Sequence, residues 1–150
     1  MRTFLVIVIL VSCLFWYVTS GIRYYNVAVI NRTAILPDKG YFYKTRDALL
    51  VAVDGELINI PAGFRTDLAS IPKPFWVFVS PARSDLIESS IVHDYLYTFP
   101  GIRTRIEIDS IYYQLLLNSN VDDLTAVTFY FLIRLFGFSH FRTTDWTHQD

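Results

Sequence analysis

A histidine and an aspartate stand side by side in an apolar stretch of the chain. His93 and Asp94 follow Ile91 and Val92. Burying a charge is costly unless a specific partner neutralises it, so both side chains are expected to have partners. On a helix, His93 shares a face with Tyr97, whereas Asp94 lies on an adjacent face. Such a pair suits a metal site or an acid–base centre, and it equally suits a structural hydrogen-bond network.

A second set of polar side chains occupies the segment that follows the last predicted strand. Residues 63–72 read GFRTDLASIP, with Arg65, Asp67 and Ser70 placed between apolar residues. Asp67 is predicted either to bind a metal ion or to close an Asx turn. Ser70 becomes a nucleophile only if His93 approaches it. The alternative is a turn that holds the start of the next helix.

Asp109 is the third acidic candidate, and its predicted place is the edge of a helix core face. It follows Arg105 by four residues, so an exposed ion pair between the two is one interpretation. The other interpretation places Asp109 opposite His93, because the short segment 98–103 favours an antiparallel helix pair. In that position the carboxylate fixes the tautomer of the imidazole.

The elements that must position these side chains form a strand half and then a helix half. This order predicts an α+β fold with a small antiparallel sheet followed by three helices. Residues 24–60 contain short runs rich in Val, Ile and Tyr, and Asp54-Gly55 between two of them indicates a hairpin. Helices are predicted over residues 82–97, 104–118 and 122–136, the last ending at Gly137. The first is apolar around most of its circumference, which predicts a buried helix.

An uncharged apolar run over residues 3–18 predicts a membrane helix ahead of the domain. We therefore expect a transmembrane or signal-anchor segment at residues 1–21, the α+β domain at 22–138 and a polar tail at 139–150. The protein is then a single-pass membrane protein. A cleaved signal peptide is one alternative and makes the protein secreted. A lipoprotein signal ending at Cys13 is another.

Composition and charge exclude several classes of protein. Thirteen basic and 14 acidic residues give a net charge of -1, so we expect no nucleic-acid partner. The single cysteine excludes an intrachain disulfide and a cysteine-based zinc cluster. With 53% hydrophobic and 18% charged residues, the chain is not disordered. The sequence contains neither of the common glycine-rich nucleotide-binding motifs.

Two motifs in this order resemble the DUF1353 family. They read AGFRTDLASIP at residues 62–72 and HDYLY at residues 93–97, with Trp76 between them and Arg105 and Asp109 after them. The family comprises small proteins of unknown function that are common in bacteriophages and prophages, and the resemblance spans residues 24–137. It implies a viral or phage-related origin. The apolar N-terminal run departs from many members of the family.

The His-Asp pair followed by an aromatic residue is also similar to secreted phospholipases A2. There too a second helix supplies an aspartate. This resemblance implies that His93 is the general base that activates water, Asp94 a calcium ligand and Asp109 the residue that orients His93. The chain lacks the glycine-rich calcium loop of those enzymes, unless residues 63–70 replace it, and it lacks their disulfides.

Together these features predict a membrane-anchored, hydrolase-like site that binds a divalent ion and activates water. Oxygen ligands with one imidazole favour calcium, magnesium, manganese or zinc. The expected site residues are Asp67 and Asp94 for the metal, His93 and Asp109 for catalysis, and Arg65, Ser70 and Tyr97 as further members. The alternative is a non-catalytic viral membrane or virion-associated protein. It would use the same residues as a structural network and bind viral or host membrane proteins.

Overall fold

A computed structural model describes residues 2–40, 42–68, 83–98 and 103–141 of the 150-residue chain. Within those residues, one α-helix precedes six strands, and three α-helices and a short 3₁₀ helix (Gly137–Ser139) follow them, which confirms the α+β class. The helices are α1 (Arg2–Thr19), α2 (Ile87–Thr98), α3 (Arg105–Asn118) and α4 (Asp123–Phe136). The strands are β1 (Val27–Asn31), β2 (Ile35–Pro37), β3 (Tyr43–Thr45), β4 (Leu49–Val53), β5 (Glu56–Ile60) and β6 (Arg65–Thr66).

The described strands form two three-stranded antiparallel sheets, where the sequence predicts a single small sheet. Their orders are β1-β4-β5 and β2-β3-β6. The predicted hairpin is confirmed: β4 pairs with β5, and Asp54 and Gly55 both have positive φ. Strand β6 lies in residues 63–72, the segment that was expected to follow the last strand, and it pairs with β3. A strand of two residues is too short to show a hydrophobic alternation, so only its long-range pairing reveals it.

The larger hydrophobic cluster joins the β1-β4-β5 sheet to α2 and α3. Leu49, Val51 and Val53 alternate along β4 and are all fully buried, as expected for the inner face of a half-buried sheet. Helix α2 is buried around most of its circumference, which confirms the prediction of a central helix. A second cluster joins α3 to α4. The two clusters therefore meet at α3, the helix that carries Asp109.

Local capping signals set the boundaries of the last two helices. The backbone N–H of Thr104 donates to Glu107 at 2.7 Å ahead of α3. Asp122 accepts a hydrogen bond from the N–H of Thr125 at 2.9 Å, which confirms its predicted place before α4. Helix α4 ends at Phe136, and Gly137 caps it, as predicted. Helix α2 begins five residues later than predicted, because residues 84–86 form a turn.

The apolar N-terminal run forms helix α1, and its side chains from Phe4 to Tyr17 are all exposed. Near its end α1 packs on α4, where the rings of Phe15 and Phe131 lie 6.1 Å apart. Among the described residues, no helix has the length and apolarity that crossing a membrane requires. The predicted N-terminal helix therefore exists, and its membrane-spanning role is not supported. Trp76 and most of the predicted tail lie outside the described residues.

Candidate functional site

His93 on α2 and Asp109 on α3 face each other across the two helices. Nε2 of His93 lies 2.9 Å from Oδ1 of Asp109, and both side chains are buried. Tyr97, one turn after His93, donates its hydroxyl to the same carboxylate oxygen at 2.5 Å. Tyr112, one turn after Asp109, packs on the His93 ring with centroids 5.0 Å apart. The contacts run in opposite directions along the helices, so the pair is antiparallel, as the sequence predicts.

The second carboxylate oxygen of Asp109 faces two guanidinium groups. Nη1 of Arg134 donates to Oδ2 at 2.8 Å, and Nε of Arg105 lies 3.6 Å away. Arg105 also donates to the carbonyl groups of Ile133, at 2.9 Å, and of Arg134 near the end of α4. Asp109 has no exposed surface. The pair of Arg105 and Asp109 therefore forms inside the domain and not as an exposed ion pair.

Asp94 connects this cluster to the end of β6. Its Oδ2 accepts a hydrogen bond from the Thr66 hydroxyl, and its Oδ1 lies 3.9 Å from Nδ1 of His93. The Thr66 hydroxyl in turn accepts the N–H of Leu68 at 3.0 Å, so Asp94 holds the turn after β6 through Thr66. The imidazole consequently lies between two carboxylates, with Asp109 on the Nε2 side and Asp94 on the Nδ1 side.

The charges in this cluster determine the direction of each pKa shift. Burial alone would lower the pKa of His93, but the hydrogen bonds and charges of Asp109 and Asp94 outweigh it and raise that pKa above its ordinary 6.5. Burial would likewise raise the pKa of Asp109, yet its contacts with His93, Arg134 and Tyr97 lower it. Burial and the charge of Asp109 raise the pKa of Tyr97 far above its usual range. The phenol therefore stays protonated and remains a donor.

The other predicted site residues have different surroundings. Arg65 donates to Asp38 at 2.6 Å and lies 4.9 Å from the ring centre of Phe42, both in the connection between β2 and β3. Asp67 directly follows β6 and is half-buried. Ser70 lies outside the described residues, so its nucleophilic role stays a prediction.

The predicted metal ligands, Asp67 and Asp94, are not part of a recognisable cation site. In the part of the chain that the structure describes, no three His, Cys, Asp or Glu side chains are grouped to hold a metal ion. The oxygens of Asp109 are occupied by imidazole, phenol and guanidinium donors, which are partners for an anion and do not fit a cation. Metal binding by Asp67 and Asp94 stays a prediction.

Thr66 and Arg134 are members of the cluster that reasoning from the sequence missed. Thr66 stands between Arg65 and Asp67, which were predicted as site residues, but a threonine at the end of a strand is not by itself a sign of a functional site. Arg134, by contrast, does show a signal in the sequence. It is the only basic residue of the very apolar helix α4, and a charge in such a helix needs a partner. That signal predicts a buried acidic partner without identifying it.

Comparison with known proteins shows one family. The model of DUF1353, described as a protein of unknown function, matches residues 44–133, more than half of the chain. The matched region runs from β3 into α4 and includes Thr66, His93, Asp94 and Asp109. The curated proteins and the solved structures gave no match. The chain therefore belongs to the DUF1353 family of proteins of unknown function.

Proposed function

We propose that the protein is a hydrolase in which His93 activates water as a general base. The observation that carries this proposal is the 2.9 Å contact between Nε2 of His93 and Oδ1 of Asp109. A carboxylate on one ring nitrogen fixes the tautomer and the orientation that the other nitrogen needs for proton transfer. Because Asp109 contacts Nε2, the proposed base is Nδ1, which in this proposal exchanges its interaction with Asp94 for one with the reacting water.

In the proposed step, Nδ1 of His93 accepts a proton from water while the water oxygen attacks a carbonyl carbon. The resulting imidazolium lies between Asp109 and Asp94, at 2.9 and 3.9 Å, and both carboxylates stabilise its charge. The bond from the carbonyl carbon to the leaving oxygen then breaks. The imidazolium returns its proton to that oxygen, so an ester gives a carboxylic acid and an alcohol, and His93 is neutral again.

Tyr97 and Arg134 are positioning residues in this proposal. Both act through Asp109: Tyr97 donates to Oδ1 and Arg134 to Oδ2. Two donors on opposite oxygens fix the rotation of the carboxylate, and they also favour its ionised form. The step itself uses no metal ion. Binding of a divalent ion by Asp67 and Asp94 is a separate hypothesis with its own test.

The test is the hydrolysis of a water-soluble activated ester, p-nitrophenyl butyrate, by the full chain. We expect His93→Gln to lower the rate by about 10²–10⁴-fold, the usual contribution of a general base. Ile111→Val is the control, because Ile111 is fully buried in α3 and its shortening costs about 0.5–1.5 kcal/mol of stability. The control should keep the wild-type rate. Equal rates for wild type and His93→Gln, each folded by circular dichroism, would overturn the proposal.

A membrane attachment through α1 and a viral or phage-related origin belong to the same proposal. The attachment is supported by the exposed apolar side chains of α1. The origin is supported by the resemblance to a family common in bacteriophages. Neither is needed for the hydrolytic step.

A non-catalytic viral membrane or virion-associated protein is the second candidate function. It is favoured by the number of donors on Asp109, which come from α2, α3 and α4 and tie these helices together. In that case His93→Gln lowers the stability of the fold, and the wild-type chain hydrolyses the ester no faster than buffer does. The same assay therefore separates the two candidates.

A further inference from the structure

A cavity of about 250 Å³ lies between β5 and α2, and none of its lining residues belongs to the His93–Asp109 cluster. Its walls are formed by residues 56–59 of β5, by Tyr95 and Leu96 of α2, and by Arg103. Cavities that hold drug-sized ligands measure about 300–1,000 Å³. The volume between β5 and α2 therefore suits a somewhat smaller organic molecule.

Much of the cavity wall is apolar. Leu57 is 62% exposed although it lies on a strand, and it shares the wall with the buried side chains of Ile58 and Leu96. Tyr95 is half-buried at the same place. Water that contacts apolar side chains is released when another apolar group covers them, and this release favours binding. The cavity therefore favours a ligand with an apolar body.

Arg103 gives the cavity a cationic end. Its side chain is only 16% exposed, and its Nη2 donates to Oε2 of Glu56 at 2.5 Å. A second carboxylate in its vicinity, that of Glu107, is held by Arg23 at 3.2 Å and by the N–H of Thr104 at 2.7 Å. Glu56 is therefore the carboxylate that neutralises Arg103 by direct contact.

The two members of this ion pair differ in their contact with water. The Glu56 side chain is 62% exposed, against 16% for Arg103. When the pair opens, water solvates the exposed carboxylate, whereas the more deeply buried guanidinium still needs an anion. A guanidinium also presents two parallel N–H donors, which match the two oxygens of a carboxylate. A ligand carboxylate can therefore take the place of Glu56 without leaving a buried charge unpaired.

We infer that this cavity binds a small organic carboxylate with an apolar or aromatic body. The ligand carboxylate displaces Glu56 from Arg103, and the apolar body covers Leu57 and Leu96. The charge on Arg103 stays neutralised, because one carboxylate replaces another. The inference does not depend on the proposed hydrolase function, since the cavity shares no residue with the proposed catalytic site.

The test is the binding of hydrocinnamate to the full chain, with the Kd obtained by saturation-transfer NMR of the ligand. Arg103→Gln should weaken binding about 10–100-fold, the range expected for losing a charge-assisted hydrogen bond. Glu56→Gln should strengthen binding by up to about fivefold, because it removes the competing member of an exposed ion pair. Arg46→Gln is the matched control. It removes the same charge from a pair with Asp47 that does not line the cavity, and it should leave the Kd unchanged.

Two further ligands separate the contribution of the charge from that of the apolar body. Hydrocinnamamide keeps the body without the charge, and acetate keeps the charge without the aromatic body. Each should bind at least about 10-fold more weakly than hydrocinnamate.

Several outcomes would overturn the inference. These are the absence of saturable binding to wild type, equal affinity for hydrocinnamate and its amide, equal affinity of wild type and Arg103→Gln, and weaker binding to Glu56→Gln. If circular dichroism shows that Arg103→Gln does not fold, then Glu56→Gln and the amide decide the question, because neither result depends on that variant.

Discussion

Replacing Asp109 by asparagine removes one negative charge from the centre of the buried cluster and keeps the size of the side chain. Donors from His93, Tyr97 and Arg134 converge on the native carboxylate. Asparagine offers one acceptor oxygen, and its NH₂ group is itself a donor. The NH₂ group must therefore face another donor, so at least one buried donor loses its partner. The charge of Arg134 also loses its neutralising carboxylate.

The size of the effect follows from these losses. Removing one partner of a buried ion pair costs about 3–5 kcal/mol, and an unsatisfied buried polar group costs about 1–3 kcal/mol. His93 can relieve part of the penalty by turning an unprotonated Nε2 toward the new NH₂ group, and the Arg134 side chain is 23% exposed, so water screens part of its charge. We therefore expect a loss near the lower limit, about 3 kcal/mol. For a chain of this length the melting temperature should fall by about 6–12 °C.

Urea and thermal unfolding of the full chain at pH 7, followed by circular dichroism, measure this change. Tyr97→Phe is the matched control, since it removes one neutral donor from the same carboxylate oxygen and leaves every charge in place. Its expected cost is about 1 kcal/mol. An Asp109→Asn protein within about 1 kcal/mol of wild type would refute the conclusion that Asp109 holds the cluster together.

Three further predictions concern the rest of the site. Thr66→Val removes the donor to Asp94 and the acceptor of the Leu68 N–H. The free energy of unfolding in urea should therefore fall by about 1–3 kcal/mol. An unchanged midpoint and slope of the urea transition would contradict this contact. The rate of ester hydrolysis should rise with pH through the pKa of His93, which lies above 6.5, because only neutral imidazole accepts a proton. A rate that stays constant from about pH 6 to 9 argues against His93 as the base. If Asp67 and Asp94 bind a divalent ion, then calcium, magnesium, manganese or zinc at about 100 times its Kd should stabilise the chelator-treated chain by about 2.7 kcal/mol. Asp94→Asn should abolish this stabilisation. Unchanged stability with every ion would refute the metal hypothesis.

Several elements could be predicted because their signals are local. The Asp54-Gly55 turn and the Asp122 cap each depend on contacts within about four residues. The α+β class likewise follows from short β-branched runs that precede longer helical ones. The turn and the cap could be predicted because the residues that form them are neighbours in the sequence.

The division of the strands into two sheets could not be predicted in the same way. Strand β6 has two residues and pairs with β3, where Lys44 lies opposite Arg65. So short a strand shows no alternation of apolar and polar residues. Its existence depends on hydrogen bonds to a strand about 20 residues earlier, and such pairing is decided only when the chain is folded.

By itself, the sequence placed His93 and Tyr97 on one helical face and required a partner for any charge in that apolar segment. It also placed Asp109 opposite His93 as one of two alternatives, since a short connection favours an antiparallel helix pair. The tertiary structure distinguishes this alternative from an exposed ion pair with Arg105, because it buries Asp109 completely. It alone brought Thr66 to Asp94 and Arg134 to Asp109, across 28 and 25 residues of chain. Partners so far apart in sequence are decided by how β6 and α4 pack against the central helices, and no local pattern contains that packing.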